Sequence, residues 1–508
     1  MFDLISIGTF FKKNFTRKDV LFVVGLILLY LATRLINLEK FPIFSDEGIY
    51  IHWSKVAWHD ASWRFISLTD GKQPLQTWGT IPFLKLFSSD LLLGARMFAV
   101  FTGFIALVGM FTLLFQLFGK RAAFIGTFLY VLTPYFLFYD RLALVDSGVN
   151  AGFIWILFLS VLLVKKRRLD YALLYGLVGG LALLAKSSAQ LFIGLSAFAP
   201  LLLLEKKKSR FVRNSLNYLV LLGIGAGLAI ALYNIQRLSP FFHYVAEKNT
   251  TFVMTFAEFK AHPFAVFFSN IQLIPVYVLW ELGWISGLFA AAGIVVLFKK
   301  NWRLALYLSL WVILPFFSIA FFMKVMYPRH IIFFPTLLII FATVFIAHLK
   351  NKRVLWTAVV VFTLTVLYFD YTIVFQPAKI PFPPVDRGQY IEGWPAGWGA
   401  KEIVQFAKEK SLEKPVILLA EGNFGMTGDV LDVFVKTGDA ISIRGYWPLE
   451  KAQLEENQKD VGKNYVYAVF SHKLEYPSDW PITRIKKYEK PGNQSALLLY
   501  ELQPLKHE

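Results

Sequence analysis

The sequence predicts a polytopic α-helical membrane protein that carries a C-terminal α/β domain outside the membrane. Of its 508 residues, 56% are hydrophobic and 17% are aromatic, and the apolar residues stand in long uninterrupted runs. Short basic segments separate these runs, and the composition becomes that of a water-soluble protein after about residue 376. A soluble protein of this length would not contain so many continuous apolar runs.

About eleven apolar runs are long enough, or nearly so, to cross some 30 Å of hydrocarbon as helices. They cover residues 19–36, 91–118, 122–139, 148–164, 170–185, 188–204, 215–235, 276–298, 304–323, 331–349 and 354–374. A basic cluster precedes the first run and no small-residue cleavage site follows it, so we expect a membrane anchor and not a cleaved signal.

The basic residues predict the orientation of the helices. With the N-terminus in the cytoplasm, every basic cluster falls in a cytoplasmic loop, as the positive-inside rule requires. The clusters lie at 12–18, 120–121, 165–168, 206–213, 299–303 and 350–353. The stretch 75–89, which contains Pro82 and Lys85, must then lie along the membrane or re-enter it without crossing. The main outer loops are predicted at 37–90, 140–147, 236–275 and 324–330.

Three parts are predicted along the chain: a transmembrane domain at 1–375, a stiff proline-rich linker at 376–384 and a soluble extracytoplasmic α/β domain at 385–508. In the last part, the patterns predict helices near 400–411 and 427–437 and strands near 416–420, 440–445, 464–470 and 496–501. Three glycines between 422 and 428 follow a strand but lack the spacing and the basic residue of a phosphate loop. They indicate a strand-to-helix turn.

Charge and cysteine content exclude several classes of function. The net charge is +18, but the basic residues cluster in short loops, where they fix orientation and contact anionic lipids, and form no nucleic-acid-binding face. The chain contains no cysteine, which rules out disulfides and thiolate metal sites. We expect a multi-pass protein of the plasma or inner membrane, with the lipid bilayer as a partner and no nucleic acid.

Acidic and basic residues recur in the outer loops and at the outer ends of the spans, on the side where basic clusters are sparse. Such groups are costly at a membrane edge unless they manage a cation, a metal or a proton. They are the pair Asp46-Glu47, Asp70 and Lys72, Arg141 and Asp146, Lys186, and Arg329-His330. Because they lie at one membrane face although they come from separate loops, we expect them to form one site.

Acids and bases at the outer edge of a bilayer suit one kind of substrate well. A carboxylate can take a proton from an attacking hydroxyl or amine, and Lys and Arg can hold a phosphate that leaves with increased negative charge. Carboxylate oxygens can also bind a divalent metal that shares this work. A lipid-linked phosphosugar meets these requirements, because its tail lies in the membrane, its phosphate at the headgroups and its sugar in water.

These residues resemble a known family. The acidic pair after the first span, Asp70-Gly71-Lys72-Gln73-Pro74-Leu75, the Arg141–Asp146 loop, Ala185-Lys186-Ser187 and Pro328-Arg329-His330 look like the motifs of the GT-C glycosyltransferases. The resemblance covers residues 1–375 and is strongest to the branch of the protein O-mannosyltransferases and lipid A aminoarabinose transferases. The chain departs from that branch at Gln73, where Pro is common, and at His330, where Tyr is common.

The resemblance implies roles for seven residues in an inverting membrane glycosyltransferase. Asp46 is implied as catalytic base, with Glu47 as its partner and Asp146 as the acid of the second outer loop. Lys72, Arg141, Lys186 and Arg329 are implied as ligands of the donor phosphate. The partners implied are a polyprenyl-phosphate-linked sugar and an extracytoplasmic acceptor, which is a protein, a lipid or a glycan. The only cofactor considered is a divalent metal ion (Mg, Mn or Zn) on Asp46 and Asp146.

A different class of function, a transporter or flippase of a lipid-linked or anionic substrate, is the alternative. A transporter should carry polar groups near the bilayer midplane, often on broken helices. In this chain the charges crowd one edge, which favours the enzyme. A third option, a cell-wall-binding scaffold with a membrane anchor, does not explain the number of spans. His52 and His262 are interpreted as interface residues in preference to metal ligands.

Overall fold

The computed structural model describes residues 14–204 and 208–505. Most of the described chain is helical, and a small sheet stands near its C-terminus. The helices of the first part are α1 (Arg17–Leu35), α2 (Ser45–His59), α3 (Leu75–Leu86), α4 (Leu91–Phe118), α5 (Lys120–Val131), α6 (Pro134–Tyr139), α7 (Asp146–Lys166), α8 (Leu169–Ala185), α9 (Ala189–Ser196), α10 (Lys208–Tyr233), α11 (Tyr244–Phe252), α12 (Phe256–Ala261), α13 (Phe267–Leu282), α14 (Trp284–Phe322), α15 (Phe333–His348) and α16 (Lys352–Phe375).

Five helices of the described chain, α4, α7, α10, α14 and α16, are long and apolar enough to cross a membrane by length and composition. Helices α8, α13 and α15 and the segment Ala189–Leu203 are apolar but shorter. The prediction of about eleven crossings therefore remains a prediction. Helix α3 has 12 residues, about 18 Å of helix, which is too short to cross the hydrocarbon core.

Three of the predicted spans have breaks that the apolar pattern did not indicate. The predicted span 276–298 is interrupted at Gly283, whose positive φ of 87° ends α13. The predicted span 122–139 divides before Pro134, which begins α6. The predicted span 188–204 ends as α9 at Ser196 and continues as a 3-10 helix, Ala199–Leu203. Helix α14 leaves the helical conformation at Asn301, between the two spans predicted there.

Small residues allow two of the apolar helices to pack closely. A Cβ on Gly176 of α8 would lie 2.6 Å from the carbonyl oxygen of Gly225 in α10, and one on Gly225 would lie 2.7 Å from that of Ala172. Close backbone approach at glycines is a usual way for helices to associate in lipid, where no hydrophobic effect draws them together. Helix α7, by contrast, is covered by neighbouring helices along most of its length.

The C-terminal part contains a five-stranded sheet in the order β2-β1-β3-β5-β4. Strands β1 (Val416–Glu421), β2 (Ile441–Tyr446) and β3 (Tyr465–Phe470) are parallel, whereas β4 (Ile482–Glu489) and β5 (Ala496–Leu502) pair antiparallel. The short helix α17 (Pro384–Arg387) leads into this domain. The domain's own helices are α18 (Ala400–Ser411), α19 (Gly428–Asp432) and α20 (Lys451–Asn457). The four predicted strands and the helix at 400–411 are present, and the helix predicted at 427–437 is shorter.

The first turn of α2 is held against the C-terminal domain. The backbone N–H of Ser45 donates to the carbonyl of Pro395 at 2.9 Å, and Phe44 forms an antiparallel bridge with Ala396. A Cβ on Gly48 would lie 2.6 Å from the side chain of Val430 in α19, so the two helices touch. Further along α2, His52 and Lys55 both bind the carboxylate of Asp432, each at 2.9 Å.

Candidate active site

Asp46 occupies the first turn of α2 and faces two cations. Its Oδ2 lies 2.9 Å from Nη1 of Arg329, and its Oδ1 lies 3.8 Å from Nζ of Lys72. Burial alone would raise the pKa of Asp46, but the attraction of Lys72 and Arg329 outweighs it and holds the pKa below its usual range. Asp46 is therefore ionised and engaged by both cations.

Lys72 reaches Asp46 because of the turn that precedes it. The 3-10 helix Ile66–Asp70 ends at Gly71, whose φ of +63° suits glycine, and the N–H of Lys72 then donates to Ser67. The ammonium lies over the rings of Tyr50 and Trp53, 5.1 and 5.5 Å from their centroids. The aromatic faces stabilise the cation in a partly dehydrated place.

Asp70 divides its carboxylate between two lysines at the edge of the site. Its Oδ1 lies 2.5 Å from Nζ of Lys248, and its Oδ2 lies 3.5 Å from Nζ of Lys72. Lys248 belongs to α11, so the loop predicted at 236–275 contributes to this edge. Because Lys248 lies closer to Asp70 than Lys72 does, the charge of Lys72 is only partly neutralised, and Lys72 can bind another anion.

Arg329 stands in the 3-10 helix Pro328–Ile331, before the apolar helix α15. The hydroxyl of Tyr135 donates to the carbonyl of Pro328 and fixes this turn. The guanidinium lies 5.3 Å from the ring centroid of Phe44. Its Nε is buried and finds no hydrogen-bond partner among the described residues, and the same holds for Nδ1 of the neighbouring His330. These donors and acceptors are available to a ligand.

Asp146 and Lys186 form a second ion pair beside the first. Nζ of Lys186 lies 3.5 Å from Oδ1 of Asp146, a buried oxygen that makes no hydrogen bond within the described chain. Burial lowers the pKa of Lys186, although Asp146 opposes this effect. Burial raises the pKa of Tyr50, and the charges of Asp46 and Asp146 raise it further.

The contacts of Glu47 differ from those of its neighbour Asp46. Its carboxylate is buried against Arg96, with Nε and Nη2 at 2.9 and 2.8 Å. It also accepts the N–H groups of Phe44 and Ala143 at 2.9 and 2.7 Å. The sequence grouped Glu47 with the catalytic residues, but both of its oxygens are occupied by protein donors. Its contacts join α2, α4 and the loop before α7, which is a structural role.

Arg141 likewise differs from the phosphate ligand that the resemblance implied. Its guanidinium donates to the backbone carbonyls at the C-terminal end of α1 at distances of 2.8 to 3.0 Å. The acceptors are Thr33, Arg34, Ile36 and Asn37. The side chain is almost fully buried. Arg141 therefore completes the end of α1, whose last carbonyls have no partner within the helix.

The donor set does not fit a divalent metal ion. Among the described residues, no group of three or more acidic or histidine side chains is arranged to hold one. The two acids suggested for this role, Asp46 and Asp146, are each paired with a cation. Lys72, Lys186 and Arg329 bring three positive charges against these two negative ones. A surplus of positive charge attracts an anion and repels a metal cation.

A buried acidic pair lies close to Arg329 and escaped the sequence reasoning. Oδ2 of Asp386, in α17, accepts the hydroxyl of Tyr139 at 2.7 Å, and the carboxylate of Glu281 lies beside it. Burial raises the pKa of Asp386 to about 6. Apart from Asp386 beside it, the described residues offer the carboxyl group of Glu281 no hydrogen-bond partner. The sequence feature that could have indicated this pair is Glu281, a lone acid within an apolar run.

Comparisons with known proteins give the fold a context. Residues 72–233 match the family described as dolichyl-phosphate-mannose-protein mannosyltransferase. Two crystal structures of ArnT from Cupriavidus metallidurans are similar to 94% of this chain over 97% of theirs. One, bound to undecaprenyl phosphate, has a TM-score of 0.60 at 15% identity, and the apo form has 0.59 at 14%. No curated protein matches the sequence.

The predicted resemblance to the GT-C glycosyltransferases is confirmed by these comparisons at the level of the fold. The similarity to ArnT extends over the membrane helices and the C-terminal sheet domain alike. The family match lies within the transmembrane part and contains Lys72, Arg141, Asp146 and Lys186. The chain therefore shares its overall fold with the ArnT structures, and five of its described helices are long and apolar enough to cross a membrane.

Proposed function

We propose that the protein is an integral-membrane glycosyltransferase that moves a sugar from a polyprenyl-phosphate donor to an extracytoplasmic acceptor. The observation that carries the proposal is the surplus of cations, Lys72, Lys186 and Arg329, gathered around two carboxylates at the ends of apolar helices. The matched family is named for a dolichyl-phosphate sugar, and one similar ArnT structure was solved with undecaprenyl phosphate. Both are polyprenyl phosphates, which supports a donor of the same class.

The donor phosphate is held by Lys72 and Arg329. The unpartnered Nε of Arg329 donates to a phosphate oxygen while its Nη1 stays on Asp46, and Lys72 acts as a point charge. Lys186, which follows the last residue of α8 and pairs with Asp146, adds a third cation. The lipid tail then extends along the apolar helices, where it loses no contact with hydrocarbon.

Binding of the donor makes Asp46 a stronger base. In the protein alone, Lys72 and Arg329 lower the pKa of Asp46, so its carboxylate has little tendency to take a proton. When an anionic phosphate binds the same two cations, it neutralises much of their attraction for Asp46. The pKa of Asp46 then rises toward the value that burial favours, and the base is activated only where a donor is present.

The transfer itself is a single displacement. The acceptor hydroxyl or amine attacks the anomeric carbon, its proton passes to Asp46, and the bond between that carbon and the phosphate oxygen breaks. The electron pair leaves with the polyprenyl phosphate, whose added negative charge is stabilised by Lys72 and Arg329. Attack from the side opposite the leaving phosphate inverts the configuration. Oδ1 of Asp146, which lacks a hydrogen-bond donor in the described chain, accepts a sugar hydroxyl.

The distribution of the basic loops supports a site at the outer face of a plasma or inner membrane. The positive-inside rule puts the N-terminus in the cytoplasm, and the C-terminal domain, which packs on α2, lies outside with the site. Nucleotide sugars are not expected there, so the sugar has to arrive on a lipid. No step of the proposed mechanism passes through a metal ion, because the two acids are already paired with cations.

Purified protein in sealed liposomes tests the proposal. The liposomes are prepared with a panel of polyprenyl-phosphate sugars and external acceptors, and mass spectrometry follows both lipid and acceptor. We expect free polyprenyl phosphate and a sugar-bearing acceptor to form in equal amounts. Movement of the intact lipid-linked sugar across the bilayer without covalent change would instead establish the flippase alternative.

A further inference from the structure

The C-terminal domain presents a second cluster of side chains at the carboxyl ends of its parallel strands. In the strand order β2-β1-β3-β5-β4, the chain leaves β1 toward β2 and leaves the adjacent β3 toward β4 on the other side, which opens a crevice between the carboxyl ends of β1 and β3. Ligands of open α/β sheets bind in such crevices. In this domain the crevice follows Glu421 of β1, Tyr446 of β2 and Phe470 of β3.

Large aromatic side chains stand exposed around this crevice. Trp394 is 45% exposed, Phe424 47% and Trp447 65%. The ring of His472 lies between two of them, with its centroid 4.9 Å from that of Trp394 and 4.9 Å from that of Trp447. The site just described, around Asp46, makes no use of these aromatic rings. We call Trp394, Phe424, Trp447 and His472 the aromatic crevice.

Glu421 holds His472, the polar side chain of the aromatic crevice, in place. One of its oxygens accepts the N–H groups of Ser471 and His472 at 2.7 and 3.0 Å and lies 3.0 Å from Nδ1 of His472. Its other oxygen accepts the hydroxyl of Tyr476 at 3.2 Å. A carboxylate on Nδ1 favours the tautomer that carries its proton there, so Nε2 becomes the hydrogen-bond acceptor of the neutral ring.

The aromatic crevice is continuous with the candidate active site through Ser45, the residue before Asp46. The hydroxyl oxygen of Ser45 accepts the N–H of Met426 at 3.1 Å, two residues from Phe424. The N–H of Ser45 donates to Pro395, which follows Trp394. Phe424 also contacts Trp53 of α2, with ring centroids 5.9 Å apart, and Lys72 lies over the same Trp53.

We propose that the aromatic crevice binds the saccharide part of the acceptor and leads it to Asp46. This inference rests on the proposed transferase function and specifies its acceptor as a glycan or glycolipid. A pyranose ring has faces of C–H groups that pack on aromatic rings, and a rim of hydroxyls that need hydrogen-bond partners. Trp394, Phe424 and Trp447 supply the rings, and Nε2 of His472 accepts a hydroxyl.

The charges of the aromatic crevice favour a neutral or amino sugar over a phosphorylated one. Glu421 brings a negative charge beneath the rings, which would repel a phosphate. Lys490 lies behind the cluster, but its ammonium is buried and donates to the backbone carbonyls of Gly393 and Trp394 at 3.2 and 3.0 Å. Burial lowers the pKa of Lys490 to about 7, so even this charge is partly lost near neutrality.

The test measures saccharide binding by the full-length protein without any donor, so its result is independent of transfer. A glycan array of neutral and amino-sugar oligosaccharides serves as the probe. We expect wild-type binding, and about tenfold weaker binding after Trp447→Ala or Phe424→Ala, because each removes one stacking face. Leu412→Ala, at an exposed position near the opposite end of the strands, is the matched control and should bind like the wild type.

Several results would overturn the inference. Absence of saccharide binding by the wild type would do so, as would equal binding by all variants or binding of peptides in place of saccharides. Trp447 and Phe424 are exposed, so their variants should fold, and thermal unfolding verifies this. If saccharides bind at the aromatic crevice but no donor supports transfer, the proposed function fails while the binding site stands. If transfer occurs but no saccharide binds at the aromatic crevice, the proposed function stands while the binding site fails.

A second measurement separates the saccharide from a lipid surface, since exposed Trp and Phe also anchor proteins at membrane interfaces. The chain has no cysteine, so Trp447→Cys can carry a single nitroxide label. In liposomes we expect collisions of this label with a water-soluble paramagnetic reagent and slower motion when the array's best oligosaccharide is added. Preferential contact of the label with oxygen dissolved in lipid would show an interfacial anchor and overturn the saccharide site.

Discussion

Replacing Asp46 by Asn tests the proposed base while leaving its surroundings almost unchanged. The amide oxygen can still accept a hydrogen bond from Arg329, which lies 2.9 Å from the native carboxylate, but it cannot take a proton. Loss of a general base typically costs about 10²- to 10⁴-fold in rate. We expect the rate constant for transfer at saturating donor to fall within that range.

Donor binding should respond in the opposite direction. Asp46→Asn removes a negative charge 2.9 Å from Arg329 and 3.8 Å from Lys72. A unit charge at about 4 Å is worth about 4 kcal/mol at an effective dielectric constant near 20. The two cations are then free for the phosphate, so the donor should bind at least as tightly as in the wild type. Titration with polyprenyl phosphate and a radiolabelled transfer assay give the two quantities separately.

Asp70→Asn is the matched control for this experiment. Asp70 also borders Lys72, at 3.5 Å, but it is bound mainly by Lys248 and does not contact Arg329. We expect its effect on the transfer rate to stay below about tenfold, the range of a weakened ion pair. The reasoning is refuted if Asp46→Asn keeps wild-type activity, or if Asp70→Asn causes an equal loss.

Three further outcomes follow from the structure. Glu47→Gln should cost about 3–5 kcal/mol of stability, because it leaves the charge of Arg96 buried without its partner. Glu258→Gln, which removes an exposed partner of Lys324, should leave the stability nearly unchanged. Thermal unfolding in detergent compares the two variants. Chelation with EDTA should leave the transfer rate unchanged, and a loss that Mg²⁺ restores would contradict the mechanism. The pKa of Lys490 is lowered to about 7 in the folded protein, so the unfolded chain binds more protons between about pH 7 and pH 10; stability should rise with pH over that interval, and Lys490→Met should remove the rise.

Uniform local patterns made part of the fold predictable. The span 91–118 was predicted with the bounds that α4 has, because one apolar run lies between an Asp90 cap and Gly119. Strand β1 is buried along its whole length, so its uninterrupted apolar run predicted it. Strand β4 was missed because its mostly exposed, charged residues follow no alternating apolar pattern. Breaks such as Gly283 were missed because an apolar run does not reveal where a helix ends.

The sequence proposed a set of site residues but could not show the contacts that each of them makes. Asp46, Lys72 and Arg329 come together from separate loops, since charges near lipid need partners. Glu47 and Arg141 were grouped with them because adjacent polar residues look alike in a sequence. The sequence does not show which side chain or backbone group Glu47 and Arg141 each bind. Arg96, a lone cation inside an apolar run, could have indicated that one outer-loop acid was already engaged.

The central claim is that Lys72 and Arg329 hold the phosphate of a polyprenyl lipid beside Asp46. Native mass spectrometry of the purified protein with polyprenyl phosphate measures this directly. We expect the wild type to retain the lipid and the double variant Lys72→Met/Arg329→Met to bind it at least about tenfold more weakly, since two charge-assisted contacts are lost. Equal retention by the double variant, with its fold intact, would contradict the account.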